Sequence, residues 1–149
     1  MNFLQLCNRL HGEMNDSGTG LTAVVNQTGR YGKIVDAIRE AWVEVQDDNW
    51  DSEFFGLKPK DDPAEADTFY NRHDPQVLTE QLHTPFIPEQ YQMIIVYQAM
   101  KKQSLSLNAP ELRAIADEGH SKIMSKMANR YIGANWGKPS EPVSESPLP

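Results

Sequence analysis

The chain has 149 residues, enough for one domain with a modest core, and 39% of them are apolar, slightly below the usual range. A net charge of −7 argues against nonspecific binding to nucleic acid or anionic lipid, both negative surfaces, though not against a surface past which DNA slides. The single cysteine, Cys7, excludes an intrachain disulfide and a cysteine metal cluster.

The N-terminal stretch MNFLQLCNRLHGEMN lacks the basic and long apolar regions of a signal peptide. No apolar run approaches membrane-spanning length, so the expectation is a soluble chain made in the cytoplasm. Residues 3–14 set Phe3, Leu4, Cys7, Leu10 and Met14 along one helical face. Asn2 is placed to cap that helix, with Gln5 completing a capping box. NDSGTG (15–20) then supplies turn formers, and LTAVVNQTG (21–29) reads as an extended connector. In GRYGKIVDAIREAWVEVQDD the residues Ile34, Val35, Ile38, Ala41, Trp42 and Val45 make an apolar stripe. Asp47 and Asp48 oppose the negative end of the helix dipole and predict a stop near Gln46.

Residues 49–86 lose periodicity and mix aromatics, prolines and acids. DTFYNRH suits one strand, and QVLTEQLH suits a helical turn or a second strand. FIPEQYQMIIVYQAMKK follows as a helix led by Pro88 and Glu89. Its apolar residues, Tyr91, Ile94, Ile95, Val96, Ala99 and Met100, cover more than one face, which marks the central helix of a bundle. Asn108, Pro110 and Glu111 predict the start of a last helix. Leu112, Ile115, Ala116, Ile123, Met127 and Tyr131 form its stripe, with Met124 beside it and Gly133 as its stop. The fold class expected is mainly α: a small helical bundle over 1–133, with an irregular or minor β excursion at 49–86. An extended Pro- and Ser-rich tail, 134–149, cannot build a core. No internal repeat is visible.

Catalytic signatures are missing from this pattern. His11, His73, His83 and His120 form no metal-binding pair, and the His73–Asp74 dipeptide reads more simply as a loop histidine. SGTG is too short for a phosphate loop, and Cys7 on an apolar face reads as an inert core thiol. The expectation is no enzyme, no cofactor and no metal.

Two blocks of the chain resemble a known family. MNFLQLCNRL, the Ser-Gly-Thr-Gly turn, AVVNQTG and the helix carrying AWVEVQ look like the N-terminal part of tailed-bacteriophage head-to-tail adaptor proteins, also called connector or head-completion proteins. FIPEQYQMIIVYQAMKK is similar to the helix that follows the middle region in those proteins. Order and spacing of the blocks match. The segment Asp51–Phe86 departs, being short, acidic and Pro-broken where many relatives carry a longer β-rich segment, which puts any contact made there with the next tail component in doubt.

The resemblance implies a virion protein of the neck, between capsid and tail. Such a subunit assembles under the portal protein, commonly as a twelvefold homo-oligomeric ring. It meets the next tail or neck component and extends the DNA channel, with DNA passing unbound and no membrane involved. The tail then suggests a docking arm onto a neighbouring portal or adaptor subunit, with Trp136, Val143 and Leu148 as apolar anchors among Pro139, Pro142 and Pro147. The plainer reading of the tail is a solvated, solubilising segment. A competing function is a non-enzymatic binding module or assembly factor that uses the tail as a docking peptide.

Overall fold

Asn2 opens the first helix, α1 (Phe3–Glu13), through the expected capping box. Its Oδ1 accepts the Gln5 N–H at 2.9 Å, while its own N–H donates to Gln5 Oε1 at 2.8 Å. At the other end Asn15 turns left-handed at φ +55°. Its N–H donates to the Gly12 carbonyl, and the Asp16 N–H to that of His11, which is the bonding of a Schellman stop. The computed structural model that carries this geometry describes residues 1–48, 57–59, 70–72 and 75–135, with side chains for 1–48 and 75–129.

The connector 21–28 is irregular rather than extended, and it tucks Leu21 and Val24 into the core. Helix α2 (Gly29–Asp48) follows, and all six residues of its sequence stripe are buried. It runs two residues past the expected stop, because Asp47 and Asp48 are exposed there and water screens their clash with the helix dipole. Strands β1 (Leu57–Pro59) and β2 (Tyr70–Arg72) pair antiparallel with Lys58 opposite Asn71. β2 takes three residues of the DTFYNRH strand, and the rest of that stretch lies outside the described residues.

Residues 75–87 form neither the helical turn nor the strand expected of QVLTEQLH beyond one tight turn, closed by the His83 N–H on the Glu80 carbonyl at 2.9 Å. Leu78 is fully buried and anchors the segment. Around it the α2 side chains hold the backbone. Arg39 Nε donates to the Leu78 carbonyl at 3.0 Å, and Gln46 brackets the Gln76 backbone at 2.8 and 2.9 Å.

Pro88 leads into a short 3₁₀ turn (Glu89–Tyr91), and helix α3 (Met93–Ser106) begins only after it. The last helix, α4, spans Pro110–Asn135. Asn108 does not cap its start. Its φ is +52°, its N–H donates to the Leu105 carbonyl at 3.1 Å, and the Ala109 N–H reaches Ser104 at 2.8 Å. Asn108 therefore ends α3 with a second Schellman stop, a position that the N-x-x-E pattern had assigned to α4. Helix α4 also passes through Gly133, whose cost inside a helix is only about 1 kcal/mol. The boundary expected at 133/134 thus falls two residues before the helix ends, and 136–149 lie outside the described residues.

Among the described residues the architecture is mainly α. Helix α3 is central: it packs against α1, α2 and α4, and α1 packs on α2. Ile94, Ile95, Val96, Ala99 and Met100 are buried on its several faces. From α4, Ala116, Ile123 and Met127 are buried while Leu112 and Met124 pack partly covered. Ile115, expected in that stripe, is 49% exposed. Its position is one residue before Ala116, about 100° round the helix and on the flank of the buried face.

Gly119 lets the two helices approach, since a Cβ there would overlap the Tyr97 ring. Gly119→Ala on an unobstructed helix would stabilise by up to about 1 kcal/mol. Here it is expected to destabilise by about 1–2 kcal/mol, whereas in a Tyr97→Ala background the same change should show the helix-forming gain. Urea denaturation of the parent, both single variants and the double variant reads the sign of each effect.

Candidate functional site

The segment between α1 and α2 is tied to both helices by their polar side chains. Asn8 on α1 brackets Leu21 as a strand would, with its Oδ1 accepting the Leu21 N–H at 2.7 Å and its Nδ2 donating to the Leu21 carbonyl at 2.9 Å. His11, buried one turn later, places Nε2 at 3.0 Å from the Ser17 carbonyl, so that nitrogen carries the proton and donates. Tyr31 on α2 meets the His11 ring edge-on at 5.6 Å, and its hydroxyl accepts the Gly20 N–H at 3.3 Å.

The two glycines of SGTG are required by this arrangement. Gly18 and Gly20 sit at φ +100° and +95°, and a Cβ on either would come within 2.6 Å of Tyr31 Oη or Asn8 Oδ1 respectively. Beside them Asp16 holds Arg30, with contacts of 3.0 Å to Nε and 2.9 Å to Nη2, and Arg30 also donates to Gln103 on α3. A loop that looks flexible in sequence is thereby fixed to three helices, with Ser17, Gly18 and Thr19 displayed to solvent.

Among the described residues the histidine beside Ser17 bonds its carbonyl rather than its hydroxyl. Two shallow depressions flank α2. One, of about 320 Å³, is lined by Val24, Gly32, Val35, Asp36 and Arg39 among others; the second, of about 210 Å³, lies against Asp16, Ser17, Thr28, Arg30 and Tyr31. Neither gathers convergent acid and base groups. Among the described residues no cluster of three or more His, Cys, Asp or Glu side chains is placed to hold a metal, and no helix is long and apolar enough to cross a membrane.

On α4, burial lowers the pKa of His120 and Lys101 adds to the effect, with Asp48 and Asp117 opposing. Lys102 is held protonated chiefly by its hydrogen bond to Glu44, at 2.9 Å, with Glu40 at 3.6 Å. His83 closes its own turn, accepting at Nδ1 from the Thr79 and Glu80 N–H groups, each at 3.2 Å. His73 and Asp74 lie outside the described residues. So do the proposed docking residues Trp136, Pro139, Pro142, Val143, Pro147 and Leu148.

Sequence reading missed the clasp residues Asn8, His11 and Tyr31. The available signal was a polar residue at helical spacing beside the core face, followed by paired glycines, but it gave no indication of the partners. Comparison with known protein families, with characterised proteins and with solved structures finds no match to this chain.

Cys7 is fully buried, and burial pushes its thiol from an ordinary 9.0 up to about 12, with Arg39 opposing weakly. The unfolded chain releases this proton near pH 9 while the folded one keeps it, so the unfolded state binds fewer protons and stability falls as pH rises above 9. The loss is at most about 1.4 kcal/mol per pH unit. Urea midpoints at pH 8 and pH 10 should separate less in Cys7→Ala than in the parent chain.

Proposed function

We propose that this chain is a structural adaptor subunit of a tailed-phage neck, forming a ring that joins the portal to the tail and extends the DNA channel. The observation carrying the reading is that its two family-like blocks, far apart in sequence, pack into one core. Helices α1 and α2 of the first block rest on α3 of the second. The Ser-Gly-Thr-Gly turn, a feature of the first block, is locked by side chains of α1 and α2. Those residues thus have a common structural reason to occur together. An acidic chain with a net charge of −7 also suits a channel wall that DNA must pass without sticking.

In this reading the portal protein, a neck or tail component and further copies of the chain are the partners, and neither a cofactor nor a reaction is needed. Residues 136–149 would dock on a neighbouring subunit through Trp136, Val143 and Leu148 among the prolines. An extended proline-rich segment loses less entropy on docking than a flexible one.

Quantitative mass spectrometry of purified particles tests the proposal by counting this chain against the portal protein. A ratio near one to one is expected. Absence from mature particles would leave the competing assembly-factor reading in its place. The docking arm has its own check: a chain cut after Asn135, where α4 ends, should lose at least tenfold in portal affinity, and unchanged binding would remove the arm.

A further inference from the structure

The first N–H groups of a helix have no partner inside it and need one from elsewhere. In α1 the Asn2 side chain serves Gln5, whereas the Phe3 and Leu4 N–H groups are served by a segment distant in sequence. They donate to the carbonyls of His83, at 2.7 Å, and Gln81, at 3.2 Å. The tight turn 80–83 thus completes the cap of α1, whose first residue, Phe3, is fully buried.

That turn is tied by its own histidine. Besides the His83 N–H on the Glu80 carbonyl, the His83 ring reaches back to the residues that open the turn. Its Nδ1 accepts from the Thr79 and Glu80 N–H groups, each at 3.2 Å, with the Thr79 hydroxyl at 3.3 Å from the same atom. A ring nitrogen that accepts N–H groups carries no hydrogen, so the neutral ring holds its proton on Nε2. Nε2 lies 3.7 Å from Glu80 Oε2.

Protonation inverts this arrangement. In the imidazolium both ring nitrogens are donors, so an Nδ1–H would point at two other N–H groups and find no acceptor among them. The ring is already 41% exposed and can turn out into water, which replaces the lost bonds. Glu80 attracts the charged ring, but water screens a carboxylate that is 79% exposed. Arg39 of α2, bonded to the Leu78 carbonyl, is paired with Asp36, and the Met1 ammonium ahead of α1 is paired with Glu89 of the 3₁₀ turn. Among the described residues these are the charges that the packed elements bring to the segment, and each pair is neutral.

We infer that His83 is an acid-sensitive latch: protonating its ring opens the 80–83 turn and uncaps the start of α1. Buried Leu78 and the bonds from Arg39 and Gln46 hold the rest of the segment, so the opening is local. The open turn takes up one proton that the closed turn excludes. Closure therefore weakens as pH falls, by at most about tenfold per pH unit. The exposure of two α1 N–H groups becomes conditional on acidity, a property that the adaptor reading neither requires nor supplies.

NMR of the isotope-labelled full-length chain at about pH 8 and about pH 5 provides the test. At the higher pH the His83 ring is expected to carry its hydrogen on Nε2. Protection of the Phe3 and Leu4 amides from exchange, corrected for intrinsic rates, is expected to fall by about tenfold or more at the lower pH. In His83→Asn an Oδ1 takes the accepting place of Nδ1 and does not titrate, so both amides should stay protected at both values. His83→Leu, with no acceptor, should leave them unprotected at both. A native near-ultraviolet dichroism spectrum verifies that each variant is folded. A hydrogen on Nδ1 at the higher pH, a charged ring with both amides still protected, or an equal fall in His83→Asn would each overturn the latch. The last result would assign the effect to another titrating group, such as His11 or His120.

Discussion

Helix α3 can exist only inside this fold, and the fold is organised around it. Its side chains Ile94, Ile95, Val96, Ala99 and Met100 point in several directions, so no single neighbour could cover them. Burying each of the larger ones contributes about 1.5–3 kcal/mol, and the full contribution requires α1, α2 and α4 to be present together. A helix so enclosed must also satisfy the polar groups at its ends. Gln92, buried at the start, donates to the Ile87 carbonyl, and buried Ser104 near the end donates to that of Lys101. The Schellman stop at Asn108 then reverses the chain tightly enough for α4 to fold back along α3.

Polar side chains complete what apolar packing begins. Asn8, Arg39 and Gln46 each bond to backbone of a non-helical segment, so that the irregular stretches 15–28 and 75–87 are held by helices. The buried members would be costly to leave unmade, since a buried polar group without a partner loses about 1–3 kcal/mol. This explains how a chain with a modest apolar fraction keeps long irregular segments ordered. It also gives both segments a fixed surface shape.

Much of this was legible residue by residue. The α2 stripe needed only its period, and the Asn2–Gln5 capping box only its spacing, because both are local. Asn108 was misread because asparagine suits the end of one helix as well as the start of the next, and only the sign of φ separates the two roles. Leu78 was missed as a core residue because it stands alone in a segment with no period. Gln46, His11 and Gln92 look like surface residues in sequence, yet they are buried, since their partners lie in segments that sequence spacing does not bring together.

Helix α4 differs from the others in leaning almost wholly on α3. Removing α4 uncovers one side of α3 and leaves the α1–α2–α3 contacts in place. Its opening can therefore be sub-global, at the cost of exposing the most extensive helix seam in the fold, that with α3. In amide exchange such a helix reports its own, smaller opening free energy. In an assembling structure, it is the element that can shift against a neighbour while the rest of the subunit stays folded.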